Sequence, residues 1–313
     1  MPTLDVLALG EAMVEFNQAR VDAPEQYLCG FGGDTSNMAI AAARLLGDRG
    51  TAGFVSRVGD DAFGRMLHEL WRRERVDARG VAVDPGAPTG VYFVTHGPAG
   101  HEFSYLRAGS AASRMLPETL PHEIIRSARV LHVSGITQAI SAGACDTVFA
   151  AVAAAGASGT RVSYDPNFRP KLWPLARARA VIMATIGQCD WFLPSYEEAK
   201  LLSGYDDPVA IIDWCHALGA PVVALKRGAG GVVVSDGRAR EEVQGHRVEC
   251  IDATGAGDCF DGAFAVRILA GDTPFAAARY ANAAAALATT GFGAVAPLPR
   301  DAEVRKLLGS ATV

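Results

Sequence analysis

Lysine is scarce in this 313-residue chain: of its 29 basic residues four are lysines, at 171, 200, 226 and 306. None of them follows a glycine, so the phosphate-binding sequence GxxxxGK[ST] is absent. The HRD loop of protein kinases is missing too, which removes that mechanism. Basic residues do not outnumber the 34 acidic ones, and a net charge of −5 offers no cationic footprint for a nucleic-acid backbone. Cys29, Cys145, Cys189, Cys215, Cys250 and Cys259 form no CxxC pair, and the seven histidines show no metal spacing. Zinc ribbons and thioredoxin-like motifs are thereby excluded, and a reducing compartment is expected. No apolar run approaches the roughly 18 residues of a membrane span; even 275–289 is broken by Arg279 and Asn282. The N-terminal MPTLDVLALGEAMVEF has an acid where a secretory signal needs a basic start. The expectation is a soluble, cytoplasmic protein without nucleic-acid or membrane partners.

What the chain does have is apolar residues, half of the total, enough for a large core. Short apolar runs at 4–9, 52–56, 130–133, 161–164, 191–193 and 222–225 predict buried strands. Helical spacing occupies 35–46, 61–73, 142–155, 177–186 and 208–218 between them. This alternation predicts an α/β fold with a mostly parallel central sheet flanked by helices. Segments 11–32 and 89–107 differ, with aromatics in period-two alternation such as Gly90-Val91-Tyr92-Phe93-Val94. They predict antiparallel strands outside the main sheet, either a small lid over the carboxyl ends of its strands or a pair of surface hairpins.

Three glycine clusters carry the chemistry. In Asp252-Ala253-Thr254-Gly255-Ala256-Gly257-Asp258, small residues precede a helical pattern running to about Leu269. Unpaired N–H groups at a helix start can cradle an anion, and Asp258 falls in that electropositive pocket as either a base or a helix cap. Gly30-Phe31-Gly32-Gly33-Asp34-Thr35-Ser36-Asn37 joins the outlying strands to a helix, either placing Asp34 and Asn37 where a polyol could hydrogen-bond or serving as a flexible connection with Asp34 or Thr35 as the helix cap. Lys226-Arg227-Gly228-Ala229-Gly230-Gly231 follows one strand and begins another, as a glycine hairpin does. The looser Gly291–Ala296 run leads into Pro297 and Pro299, so it reads as a turn-rich loop. His132, amid an apolar strand, reads as a core residue.

In this order, Gly32…Asn37, Lys226…Gly231 and Asp252…Asp258 resemble the ribokinase-like (PfkB) carbohydrate kinase family over nearly the whole chain. The resemblance implies one ribokinase-like domain over 1–313 with a small β-sheet lid. It also implies ATP-dependent phosphoryl transfer to a sugar hydroxyl with Mg²⁺, and a homodimer or higher even-numbered assembly. Asp258 matches the family's base, and the backbone of Gly255, Ala256 and Gly257 its anion hole. Glu198 matches a glutamate that organises Mg²⁺ through water, with Ser195 standing where asparagine is usual. Asn167, Ser195, Lys226, Gly228, Gly231 and Asn282 fall at nucleotide contacts, although Lys226 reads equally as a strand end in solvent. Asp252 and Thr254 match a monovalent-cation site, for K⁺ among relatives.

Within the family, Gly10-Glu11-Ala12-Met13-Val14-Glu15, Phe103–Arg107 and Asp165–Trp173 resemble the branch that phosphorylates 2-keto-3-deoxygluconate. A sugar acid offers a carboxylate, which arginine binds through two parallel charge-assisted bonds. Arg107 and Arg169 are the candidates, with Gly32, Gly33, Asp34, Asn37, Tyr92 and Tyr105 completing the sugar pocket by resemblance. The alternatives are a solvated strand residue for Arg107, and for Arg169 a loop-fixing ion pair or a contact to the transferring phosphate. Other sugar or nucleoside kinases of the family, or a non-catalytic sugar-binding regulator, are the competing readings.

Overall fold

The computed structural model describes residues 3–20, 23–97 and 100–310. Residues 21 and 22 of the predicted span 11–32, 98 and 99 of the span 89–107, and the ends of the 1–313 domain lie outside the described residues. The strands are β1 (Leu4–Leu9), β2 (Met13–Arg20), β3 (Ala23–Gly32), β4 (Ala52–Gly59), β5 (Val76–Asp84), β6 (Val91–Gly97) and β7 (Gly100–Leu106). They continue with β8 (Ala128–Ser134), β9 (Arg161–Asp165), β10 (Trp191–Phe192), β11 (Val222–Lys226), β12 (Val232–Ser235) and β13 (Arg240–Val243). The helices are α1 (Asp34–Leu46), α2 (Ala62–Arg73), α3 (His122–Arg126), α4 (Gly135–Ala139), α5 (Ala142–Ser158) and α6 (Leu175–Ile186). After these come α7 (Tyr196–Ser203), α8 (Pro208–Ala217), α9 (Ala256–Leu269), α10 (Pro274–Ala288) and α11 (Asp301–Ser310). Among the described residues no helix is long and apolar enough to cross a membrane.

A nine-stranded sheet runs β13-β12-β11-β10-β9-β8-β1-β4-β5. It is parallel from β11 to β5, and the β11–β12 and β12–β13 pairs are antiparallel. Its central strands are mostly apolar because helices cover both faces, although Asp5, His132 and Ser163 also lie in them. In β1, Val6 and Ala8 enter the core beneath α1, α2, α9 and α10, while Leu7 and Leu9 enter the one beneath α5, α6, α7 and α8. Residues three or four apart along a helix share a face, so the α1 stripe Met38, Ala42 and Leu45 is wholly buried. His132 is buried as expected, 3.0 Å from Ser163 Oγ, and burial lowers its pKa to about 4.

The second sheet has the order β3-β2-β6-β7. Here the expectation of purely antiparallel strands needs correction: β2–β3 and β6–β7 are antiparallel, but β2 and β6 pair in parallel. The reason is topological. β1 and β5 belong to one parallel array, and β2 and β6 are their continuations from its carboxyl edge, so they leave in the same direction. Register sets Glu15 opposite Tyr92 and Tyr92 opposite Tyr105, which lines one face with acid and aromatic groups. The other face packs Phe16 and Phe93 against each other, ring centroids 5.3 Å apart, and Phe16 against Phe63 of α2.

Candidate active site

The site gathers at the carboxyl ends of β1, β8, β9 and β11, where β8 and β9 set Ser134 beside Asp165. Opposite them, α9 begins at Ala256 after Gly255, whose φ is 78°. A side chain there would stand 2.8 Å from the carbonyl oxygen of Ala294, so glycine suits both the dihedral and the space. Gly255 is the cap of α9 and Asp258 lies in its first turn, which removes the capping role considered for Asp258. Gly293 and Thr289 pin the approach: Asp252 accepts hydrogen bonds from Thr254 N–H (2.9 Å), Thr254 Oγ1 (2.6 Å) and Gly293 N–H (2.9 Å). The Asp252 carboxylate is thus engaged in building the loop.

Asp258 accepts a hydrogen bond of 2.8 Å from Asn37 Nδ2 in the first turn of α1. Burial, and then the nearby Asp34 charge, push its pKa up to about 7, where a general base works best at neutral pH. Asp34, the first residue of α1, accepts 2.8 Å from Asn167 Nδ2, and burial raises its pKa as well. Asn167 sits at φ 31°, a strained backbone position of the kind that clusters at working sites. Its N–H donates to Asp165 Oδ1 at 3.0 Å. Asp165 in turn binds Lys226 Nζ, which also binds Asp261 on α9, both at 3.0 Å. A closed ring results: α9 to α1, α1 to the β9 loop, β9 to β11, and β11 back to α9. Lys226 is therefore not a strand end in solvent.

Glu198 joins the ring from the side. Ser195 caps α7, its Oγ donating to Glu198 Oε2 at 2.6 Å, while Glu198 Oε1 accepts Phe168 N–H at 2.8 Å. Ser195 and Glu198 thus form a reciprocal capping box. Arg169 lies 3.6 Å from Glu198 Oε1, which is the loop-fixing ion pair weighed for it. Burial and the charge of Asp165 hold the Glu198 pKa above the ordinary range.

The small sheet supplies the opposite wall. Tyr92 is buried and hydrogen-bonds to the Glu15 carboxylate, lying so close to Gly32 that a Cβ there would be 2.8 Å from its ring. Tyr105 stacks on it at 5.8 Å. Arg107, just past β7, is 9% exposed and pairs with Glu11, which is 3% exposed, so it is not a solvated strand residue. Its Nε finds no hydrogen-bond partner among the described residues. Glu11 also accepts from Ser110 Oγ at 2.5 Å. Gly33 immediately precedes α1, and Gly228 and Gly231 shape the β11–β12 hairpin. Asn282 of α10 donates to the Gln244 carbonyl at 2.7 Å. Asp165, Glu11 and Glu15, which the sequence offers only as parts of resembling segments, and Asp261, which it does not offer, also belong to the site. The signal for Asp261 was its place one turn beyond Asp258.

Among the described residues no cluster of three His, Cys, Asp or Glu side chains forms a metal cage. A family model described as pfkB family carbohydrate kinase matches residues 3–301. The chain is 36% identical over 311 residues to a 2-dehydro-3-deoxygluconokinase of Thermoproteus tenax, covering 96% of this chain and 93% of that one. It is 34% identical over 319 residues to probable fructokinase-2 of Arabidopsis thaliana, covering 97% and 95%. The crystal structure of a putative ribokinase II from E. coli in complex with ATP and Mg²⁺ superposes with a TM-score of 0.90 at 28% identity, covering 98% of this chain and 99% of that one. Matches of this extent, on the same two-sheet architecture, show that the chain belongs to the pfkB family of carbohydrate kinases and is an ATP-dependent sugar kinase.

Proposed function

We propose that the chain transfers the γ-phosphoryl group of ATP to the 6-hydroxyl of 2-keto-3-deoxygluconate, giving 2-keto-3-deoxy-6-phosphogluconate. The observation that carries this reading is Arg107: a guanidinium nine-tenths buried beside the sugar wall, held in place by Glu11, with an Nε that has no partner among the described residues. A buried donor with no partner favours a ligand that supplies an acceptor, and the sugar-acid carboxylate does so with charge. The Thermoproteus tenax relative, named for this activity, supports the same substrate.

Asp258 takes the hydroxyl proton as the sugar oxygen bonds to phosphorus and the bond to the ADP oxygen breaks. The N–H groups of Gly255, Ala256 and Gly257 face the charge that develops on the transferring group. Gly32, Gly33, Asp34, Asn37, Tyr92 and Tyr105 line the sugar. Asn167, Ser195, Gly228, Gly231 and Asn282 border the nucleotide, and Arg169 stands between phosphate and substrate. Bound Mg²⁺ would neutralise phosphate charge, with Glu198 touching its water shell; Asp252 and Thr254 would offer carbonyls to K⁺. The exposed Tyr27, Leu28, Phe103 and Leu106 of the small sheet suit pairing with a second copy.

A second reading, fructose as substrate, draws on the Glu11 pair itself, since a guanidinium already neutralised suits a neutral ketose, and on the Arabidopsis relative. Phosphorylation assays with 2-keto-3-deoxygluconate, gluconate, fructose, ribose and nucleosides separate the two. The keto acid should give the highest kcat/KM; a higher value for fructose establishes the second reading.

A further inference from the structure

Lys226 is expected at the nucleotide by resemblance, yet its ammonium is already held by two carboxylates of the protein. Asp165 Oδ2 and Asp261 Oδ1 each hold it at 3.0 Å, and both carboxylates are buried, 6% and 1% exposed. Phe260 covers another side, its ring centroid 6.0 Å from the nitrogen. A Cβ built on Gly257 would stand 3.6 Å from that nitrogen, so the cation lies directly beneath the 255–257 turn. Turning the side chain toward a nucleotide would leave two buried carboxylates without their counter-charge, which is strongly unfavourable.

The charge around this point is lopsided. Asp258 is faced by Asp34 and the neutral Asn37 from α1, Asp165 from β9 and Lys226 from β11. The Tyr92 hydroxyl faces it from β6, and the Cys259 thiol lies beside it on α9. Asp261, also on α9, and Glu198, from α7, add their charge through Asp165. Four acids of this group, Asp165, Asp258, Asp261 and Glu198, share the charge of one largely buried lysine. Its positive charge works against burial and the Asp34 charge at Asp258.

We infer that Lys226 is a positioning residue for phosphoryl transfer: clamped between Asp165 and Asp261 under the anion-binding turn, it fixes the start of α9 and keeps Asp258 ionised, without touching nucleotide or sugar. The inference rests on Asp258 being the base, and different results test the two. If Asp258→Asn retains the acid limb of the parent's pH–rate profile, the base reading fails. If that limb belongs to Asp258 and ignores the charge at 226, this inference fails.

The test uses the full-length enzyme with Lys226→Met, Lys226→Gln and Lys226→Arg. Both uncharged variants should move the acid limb of kcat/KM upward by about one pH unit, as loss of a close opposite charge does. That is about a tenfold lower rate at pH 6, recovered by pH 9, with KM for ATP within about threefold of the parent. The Gln amide still donates to both carboxylates, so it keeps the brace without the charge and serves where Met does not fold. Lys226→Arg should keep the parent limb. A Gln variant with the parent profile overturns the proposal, as does an Arg variant shifted as far as Gln. A KM for ATP raised about tenfold or more with an unmoved limb also overturns it and makes Lys226 a nucleotide contact.

Discussion

Asp258→Asn removes one proton-accepting oxygen from the floor of the cleft and leaves its shape nearly unchanged. The new amide oxygen can still accept the Asn37 hydrogen bond, so substrate affinity should change little. Loss of a positioned general base should lower kcat by roughly 10²–10⁴. The folded pKa, raised to about 7 from 3.8, also predicts an opposite effect on stability. A carboxyl with a raised folded pKa stabilises the fold fully below its unfolded value, and that contribution is lost as pH rises through about 7. At pH 8 the parent therefore carries an ionised, buried carboxylate that the variant lacks. A rise of about three units, at about 1.4 kcal/mol each, sets a ceiling of about 4 kcal/mol, and relaxation with the coupled Asp34 lowers it. The variant should be less active yet more stable at pH 8, with the gain fading toward pH 4. Steady-state kinetics from pH 5 to 9 and urea unfolding at pH 4, 6 and 8 read both effects. A kcat within about threefold of the parent, or equal stabilities at pH 8, would refute the reasoning.

Arg107→Leu should lower kcat/KM for the keto acid by about ten- to a hundredfold or more, mainly through KM, while leaving the rate with fructose little changed. Because it strands the buried Glu11 charge, the double variant with Glu11→Gln provides the folded control, and Arg107→Lys should rescue in part. Gly255→Ala forces a side chain into the left-handed region against the Ala294 carbonyl. It should cost about 1–3 kcal/mol in unfolding and sharply reduce kcat; an active, equally stable variant would remove the need for glycine at the anion-binding turn. Light scattering at micromolar concentration should show an even-numbered assembly that Leu28→Glu and Leu106→Glu together dissociate; a monomeric parent defeats that expectation.

Much of this architecture was legible because it is local. Strand runs such as Val222–Leu225 are continuously apolar, and glycines mark where the backbone turns at Gly255 and Gly231. The Ser195-x-x-Glu198 spacing is itself a capping-box signature, so the structural role of both residues stood in the sequence. Pairings between distant segments were not legible. Nothing near Arg107 in sequence announces Glu11, and nothing near Tyr92 announces Glu15, because register across β2 and β6 brings them together. The parallel pairing of β2 with β6 depends likewise on where β1 and β5 end in the large sheet, which period-two alternation does not encode.

The ring of side chains through the site has a consequence for synthesis of the chain. Asn37 and Asp258 are 221 residues apart, Asn167 and Asp34 are 133 apart, and Lys226 and Asp165 are 61 apart. A ribosome delivers Asp34, Asp165 and Lys226 well before Asp258 and Asp261, so a nascent chain halted near residue 240 holds the acids and the lysine but has no α9 to close around them. Contacts of such separation are slow to form and strongly cooperative. The last quarter of the polypeptide therefore both completes the catalytic geometry and resolves the buried charge, and enzymatic competence should arrive in a single late step.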